Sequence, residues 1–201
     1  MKNCAVENIR NFALAGHAGA GKTTLADLLL FKSGIVPRLG SVNDGTSVAD
    51  FRDEEKDKKS SIFTAALHCP WKDSHFFFTD TPGYPDFCGD AISAISVADT
   101  VLIVVDAVLG IGPGTLRAWK LARDNNKPRA FVINGIDREQ ADYDELLASL
   151  QAAYGCTALT SPSEDGGIAS VLSGTDADAF EALTEAVAES DEELLEKYFD
   201  A

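Results

Sequence analysis

Eight residues near the start of the chain, Gly16-His17-Ala18-Gly19-Ala20-Gly21-Lys22-Thr23, restrict its fold more than any other feature. They match G-x-x-x-x-G-K-[ST], and they lie between an apolar run, Phe12–Ala15, and a helical pattern, Lys22–Lys32. A strand, a glycine-rich turn and a helix in that order form a cradle for phosphate. The glycines let the backbone turn tightly enough for successive N–H groups to point inward, and the helix start adds the positive end of its dipole. Gly16, His17, Ala18, Gly19, Ala20, Gly21, Lys22, Thr23 and Thr24 are therefore candidate nucleotide-binding residues. Lys22 can bridge the β- and γ-phosphates, and the Thr23 hydroxyl can ligate Mg²⁺.

The rest of the sequence supplies a sheet for such a cradle. Further strand candidates are Ile62–Leu67, His75–Thr79, Val101–Asp106 and Ala130–Asn134, and further helical patterns are Gly89–Ala98, Gly114–Asn125 and Asp142–Tyr154. The run VLIVVDA at 101–107 is apolar without alternation, as in a strand covered on both faces. Strands alternating with helices predict an α/β fold, with a mostly parallel sheet flanked by helices. The runs at 62–67 and 75–79 are joined by a short polar link, which predicts an antiparallel hairpin at one edge. Residues 156–176 read as loop. Two helices follow, the second announced by a capping box from Ser190 to Glu193.

Length and composition narrow the class further. The 201 residues suffice for one α/β domain with an appendage. No apolar run is long enough to span a bilayer, and MKNCAVENIR is too polar for a signal peptide. Cys4, Cys69, Cys88 and Cys156 include no CxxC pair, which fits reduced thiols in a cytoplasmic protein better than disulfides or zinc. Residues 1–138 hold 16 of the 17 Lys and Arg and 16 of the 32 Asp and Glu, leaving one Lys and 16 acids, a charge of −15, to residues 139–201. That break divides a core, 1–138, from an acidic appendage, 139–201. The appendage repels nucleic acid and favours a basic protein surface, although acids also serve simply to solvate exposed helices.

Two later motifs complete a nucleotide site. FFFTD ends at Asp80 and is followed by Thr81-Pro82-Gly83. An Asp at a strand end can hold Mg²⁺ through water, and the Gly can offer its N–H to the γ-phosphate. After the run AFVI comes Asn134-Gly135-Ile136-Asp137. In N-x-x-D the Asp carboxylate accepts from guanine N1–H and the 2-amino group, which adenine cannot match.

The blocks GHAGAGKTTL, GSVNDGTSVADF, DTPGYPDF, NGIDREQADYDEL and EAVAESDEELLEKYF occur in that order, and the chain resembles elongation factor G and its paralogues over nearly its whole length. The resemblance implies a P-loop GTPase fold with a short, reduced G′-like helical insertion, cycling between GTP and GDP with Mg²⁺ on the ribosome. It implies that Ser61 stands where the family keeps the switch I hydroxyl that reaches the metal. It also implies catalytic roles for Lys22, Gly83 and Tyr84, and the ribosomal stalk protein as a partner of the acidic appendage.

The sequence departs from that pattern at four positions. Gly19 replaces an Asp common in translational GTPases, and Ala18 replaces a larger aliphatic residue. Tyr84 replaces the His associated with positioning the attacking water, as it does in some elongation factor G-like paralogues. Gly135 replaces the Lys whose stem packs on guanine and braces the phosphate loop. A Gly135→Lys change is accordingly expected to tighten GDP binding. No Ser-Ala base-contacting motif is found, so the sheet is expected to lack its last strand and helix, leaving an edge uncovered. These departures keep open a second reading, a nucleotide-dependent binding module with little or no hydrolysis, and a third, a P-loop ATPase. His68 and His75 lack metal-ligand spacing, Trp119 and Leu116 read as core, and Arg138 is placed to pair with Glu139.

Overall fold

The computed structural model describes residues 5–156, 177–188 and 192–199. The chain divides into two compact units, Met1–Tyr143 and Asp144–Ala201. The first holds five strands: β1 Ile9–Gly16, β2 Ala65–Trp71, β3 Ser74–Asp80, β4 Thr100–Asp106 and β5 Arg129–Asn134. Its helices are α1 Lys22–Lys32, α2 Asp53–Lys58, α3 Cys88–Val97 and α4 Pro113–Asp124. The strand order is β2-β3-β1-β4-β5. β1 pairs in parallel with β3 and β4, β4 pairs in parallel with β5, and β2 and β3 form the expected antiparallel hairpin at one edge.

Because strand side chains alternate, each face of the sheet can be read from parity. Leu14, Phe78 and Val104 lie on one face and pack with Ala26 and Leu30 of α1. Phe12 joins them, its ring stacked on that of Phe78 at 5.2 Å. The opposite face carries Phe131, whose ring stacks on Trp119 of α4 at 5.2 Å, with the Arg129 guanidinium 4.1 Å from the indole centroid. The apolar run at 101–107 is thus central, with Val101, Ile103, Val104 and Val105 buried. At the far edge of the described sheet every residue of β5 is only partly buried.

Three local expectations need correction. β2 begins at Ala65 rather than Ile62, because the Ile62 and Phe63 N–H groups are taken by the Glu55 carboxylate at 3.0 Å each and cannot join a ladder. That carboxylate belongs to α2, a helix the sequence pattern did not reveal. Leu116 is exposed on the outer side of α4, so it is not core. Arg138 pairs with Asp106 at 2.7 Å instead of with Glu139.

The second unit contains α5 Tyr143–Tyr154, which begins at its border, together with α6 Ala177–Ala188 and α7 Glu192–Phe199. α6 and α7 pack against each other. Of the loop read over 156–176, residues 157–176 lie outside the described residues, as does the Ser190 cap. No helix among the described residues is long and apolar enough to cross a membrane. Cys69, Cys88 and Cys156 are free.

Candidate functional site

The glycine-rich turn follows the C-terminal end of β1, flanked by β3 and β4. Crevices outside the carboxyl ends of parallel strands are where open α/β sheets take ligands. Gly21 precedes α1 at φ +90°, and a Cβ there would overlap Asn134 Nδ2. Glycine is therefore required at this position, and its absence of a side chain lets Asn134 reach across to donate to Ala20 O at 3.0 Å. The contact ties the end of β5 to the phosphate loop. His17 is held differently. Its Nδ1 accepts from Gly114 N–H at the start of α4, at 3.3 Å, so the neutral ring carries its proton on Nε2.

Lys22 and Thr23 are buried in the first turn of α1, whereas Thr24 is exposed. The Lys22 ammonium donates to the carbonyls of His17 at 2.8 Å and Gly16 at 3.4 Å. Burial lowers the Lys22 pKa, and the nearby Asp80 and Asp50 carboxylates oppose the shift. Thr23 Oγ1 lies 2.6 Å from Asp80 Oδ2 and 2.9 Å from Ser61 Oγ. Three side chains from α1, the end of β3 and the loop before β2 therefore converge on one point. Asp80 is pushed up to about 7 by burial, a shift eased by the Thr23 hydroxyl and by Lys22.

Two acids that the motif reading overlooked stand beside this cluster. Asp50 is buried, its pKa raised by that burial and eased by a hydrogen bond from Ser61. Asp27, one turn beyond Thr23 on α1, accepts from Val48 N–H at 3.0 Å and fastens the loop that carries Asp50. Asp50 lies in the block GSVNDGTSVADF but was not singled out within it, and an Asp inside an otherwise apolar helical stretch was the available signal for Asp27. Asp80 Oδ1, Asp50 Oδ2 and Asp27 Oδ2 are buried oxygens with no hydrogen-bond partner among the described residues. Buried carboxylates left in that condition favour a cation or a proton. No three His, Cys, Asp or Glu side chains among the described residues gather closely enough to hold a metal by themselves. A hard divalent cation here would depend on the two hydroxyls and on oxygens supplied by phosphate and water, which is how Mg²⁺ is usually bound.

Gly83 touches the phosphate loop directly: a Cβ on it would lie 2.5 Å from Ala18 N and 2.7 Å from Lys22 Nζ. Tyr84, next in sequence, is 47% exposed and makes no hydrogen bond with any of these groups. Asp137 is exposed too, three residues beyond Asn134. The structure thus brings Lys22, Thr23, Ser61, Asp80, Gly83 and Asn134 around the loop, and Tyr84 follows Gly83 without a hydrogen bond to any of them.

The sequence profile of the elongation factor Tu GTP binding domain matches residues 7–193. The chain belongs to that family. It is 35% identical over 151 residues to elongation factor G 2 of Streptomyces coelicolor, covering 75% of this chain and 22% of that protein. It is 33% identical over 159 residues to elongation factor G of Granulibacter bethesdensis, covering 79% and 23%. Among solved structures, one from Thermus thermophilus superposes with a TM-score of 0.83 at 32% identity, covering 96% of this chain and 33% of that one. A bacterial selenocysteine-specific elongation factor superposes at 0.55 with 26% identity, covering 72% and 24%. The chain is therefore a GTP-binding domain like that of elongation factor G, and it spans less than a quarter of the length of those curated relatives.

Proposed function

We propose that this domain binds GTP and GDP with Mg²⁺ as part of an elongation factor G-like translation factor that acts on the ribosome. The convergence of Asp80 Oδ2 and Ser61 Oγ within 2.9 Å of Thr23 Oγ1, beside the buried Lys22, carries the reading. In it, the N–H groups of the loop and the Lys22 ammonium hold the phosphates, and Gly83 offers its N–H to the γ-phosphate. Thr23 and Ser61 would hold the metal directly and Asp80 through water. Bound there, Mg²⁺ would neutralise phosphate charge. Asn134 braces the base loop against Ala20, and Asp137 selects guanine. The reaction is in-line attack of water on the γ-phosphate, with the charge that develops on the phosphoryl oxygens met by Lys22 and the loop N–H groups.

A second reading, GTP-dependent binding with slow hydrolysis, is favoured by one observation. Tyr84 stands half-exposed where the family carries the water-positioning His. A phenol stays protonated below about pH 10 and cannot take up a proton as imidazole does near neutrality. Single-turnover GTP hydrolysis with saturating ribosomes, on the chain as it occurs in the cell, separates the two. Tyr84→His should raise stimulated turnover by up to about a hundredfold. A parent that already turns over as fast as a His-bearing elongation factor G would exclude the slow reading. Competition in which ADP displaces bound GDP as well as GTP does would exclude guanine selectivity and restore the ATPase reading. The acidic residues 139–201 remain the candidate surface for the ribosomal stalk protein, through contacts that weaken as salt rises.

A further inference from the structure

Gly135 stands where the base motif carries a lysine, and the structure fills that place from elsewhere in the chain. Gly135 has φ +75°, and a Cβ built on it would lie 3.2 Å from Arg138 Nε and 3.4 Å from Arg138 Cζ. The guanidinium therefore occupies the space that a side chain at 135 would enter. It is anchored there. Arg138 Nη1 donates to Asp106 Oδ2 at 2.7 Å, and the Asp106 side chain is only 1% exposed. The other Asp106 oxygen accepts from the N–H groups of Val108 at 2.9 Å and Leu109 at 3.0 Å, so the acceptor is itself fixed. Arg138 N–H closes the turn onto Gly135 O at 3.3 Å. Yet 53% of the Arg138 side chain remains exposed. One edge of the guanidinium is tied, and part of the side chain stays open, in the same turn that carries Asn134 and Asp137.

We propose that Arg138 is an affinity-determining residue of the nucleotide site, its guanidinium plane taking the purine face that a lysine stem at 135 would otherwise cover. The proposal rests on the base-site reading of Asn134 and Asp137. A guanidinium is planar and weakly hydrated, and it stacks on aromatic rings. The Asp106 bond fixes its position before a ligand arrives, so little further side-chain entropy is lost on binding. Stacking acts on any purine, so Arg138 contributes affinity, while discrimination between guanine and adenine stays with Asp137. The same geometry argues against the expectation that Gly135→Lys tightens GDP binding. That side chain would sit at a left-handed φ, which L-residues disfavour, and its Cβ would press on Arg138.

The test measures GDP, ADP and inorganic pyrophosphate binding to the parent, Arg138→Ala and Arg138→Lys by competition with labelled GDP, with thermal melting of each protein. Arg138→Ala should weaken GDP and ADP alike by about tenfold and leave pyrophosphate unchanged. Arg138→Lys keeps the ion pair with Asp106 and the fold but loses the plane, and should weaken GDP severalfold at an unaltered melting temperature. Equal GDP affinity in parent and both variants overturns the proposal alone. So does a fall in pyrophosphate affinity parallel to that in GDP, which would mean a structural role. A parent that binds GDP no better than pyrophosphate overturns the base-site reading together with this proposal.

Discussion

Replacing Glu55 by alanine should separate the stability of the loop before β2 from that of the sheet. Glu55 is fully buried on α2. Its Oε1 accepts from Ile62 N–H and Phe63 N–H at 3.0 Å each, and its Oε2 from Arg52 N–H at 3.3 Å. Hydrogen bonds to a charged acceptor contribute about 1.5–3 kcal/mol each, so the two shorter ones hold the loop with roughly 3–6 kcal/mol. The sheet does not need the loop to stay closed, and a segment that opens locally caps the loss of global stability. The melting temperature should therefore fall by only a few degrees. Amide exchange at Ile62 and Phe63 should accelerate at least about a hundredfold, the factor that roughly 3 kcal/mol sets. Glu55→Gln, which keeps an acceptor and loses the charge, should fall between. Ser61 adjoins Ile62, so the same opening withdraws its hydroxyl from Thr23. The assay is hydrogen exchange read by mass spectrometry on nucleotide-free protein. Parental exchange rates at Ile62 and Phe63 in Glu55→Ala would refute the latch.

Lys22→Ala should weaken GDP and GTP binding at least about tenfold, since it removes a charge-assisted contact worth about 1.5–3 kcal/mol; calorimetry showing no change would remove Lys22 from the site. Gly83→Ala would place a methyl 2.5 Å from Ala18 N, so either the loop or the turn after β3 must shift. GTP affinity should then fall by more than GDP affinity, because only GTP has the γ-phosphate that the Gly83 N–H is proposed to meet, and an equal fall in both would count against that role.

Much of the fold could be read from the sequence because it follows from local rules. α1 starts and stops where expected, since a left-handed Gly21 precedes it and Ser33 ends it. The sheet strands stood out as apolar runs, and their parallel pairing followed from the alternation with helices. What stayed hidden depends on contacts between distant residues. Nothing in the charged pattern of residues 52–59 shows that Glu55 finds three backbone N–H groups to accept from. Arg138 was assigned the nearest acid in sequence, Glu139, but the parallel register sets Asp106 opposite Asn134, and the turn after β5 then carries Arg138 back over it. In the site, Lys22, Thr23 and Asp80 were legible because phosphate chemistry dictates their spacing. Asp50 and Asp27 were not, since they act through the packing of one loop against α1.

The groups proposed to hold phosphate and cation differ from the one proposed to position water in how firmly the fold fixes them. Lys22, Thr23 and Asp80 are each less than a tenth exposed, and their burial is tolerable because each supplies what the others lack: an ammonium, a hydroxyl and a carboxylate within one crevice. Displacing any of them would strand a buried polar group, so the surrounding structure holds all three in place. Tyr84 has no such constraint: it caps a short 3₁₀ turn at Pro85–Phe87 with an extended backbone, and no side chain holds its hydroxyl. Under the proposed mechanism, its reach toward a γ-phosphate would therefore come from a partner surface that presses on this segment. In the proposed function, nucleotide binding rests on groups that the fold itself fixes, whereas hydrolysis would depend on what docks over Tyr84. Loss of ribosomes should therefore abolish turnover while leaving GDP affinity intact.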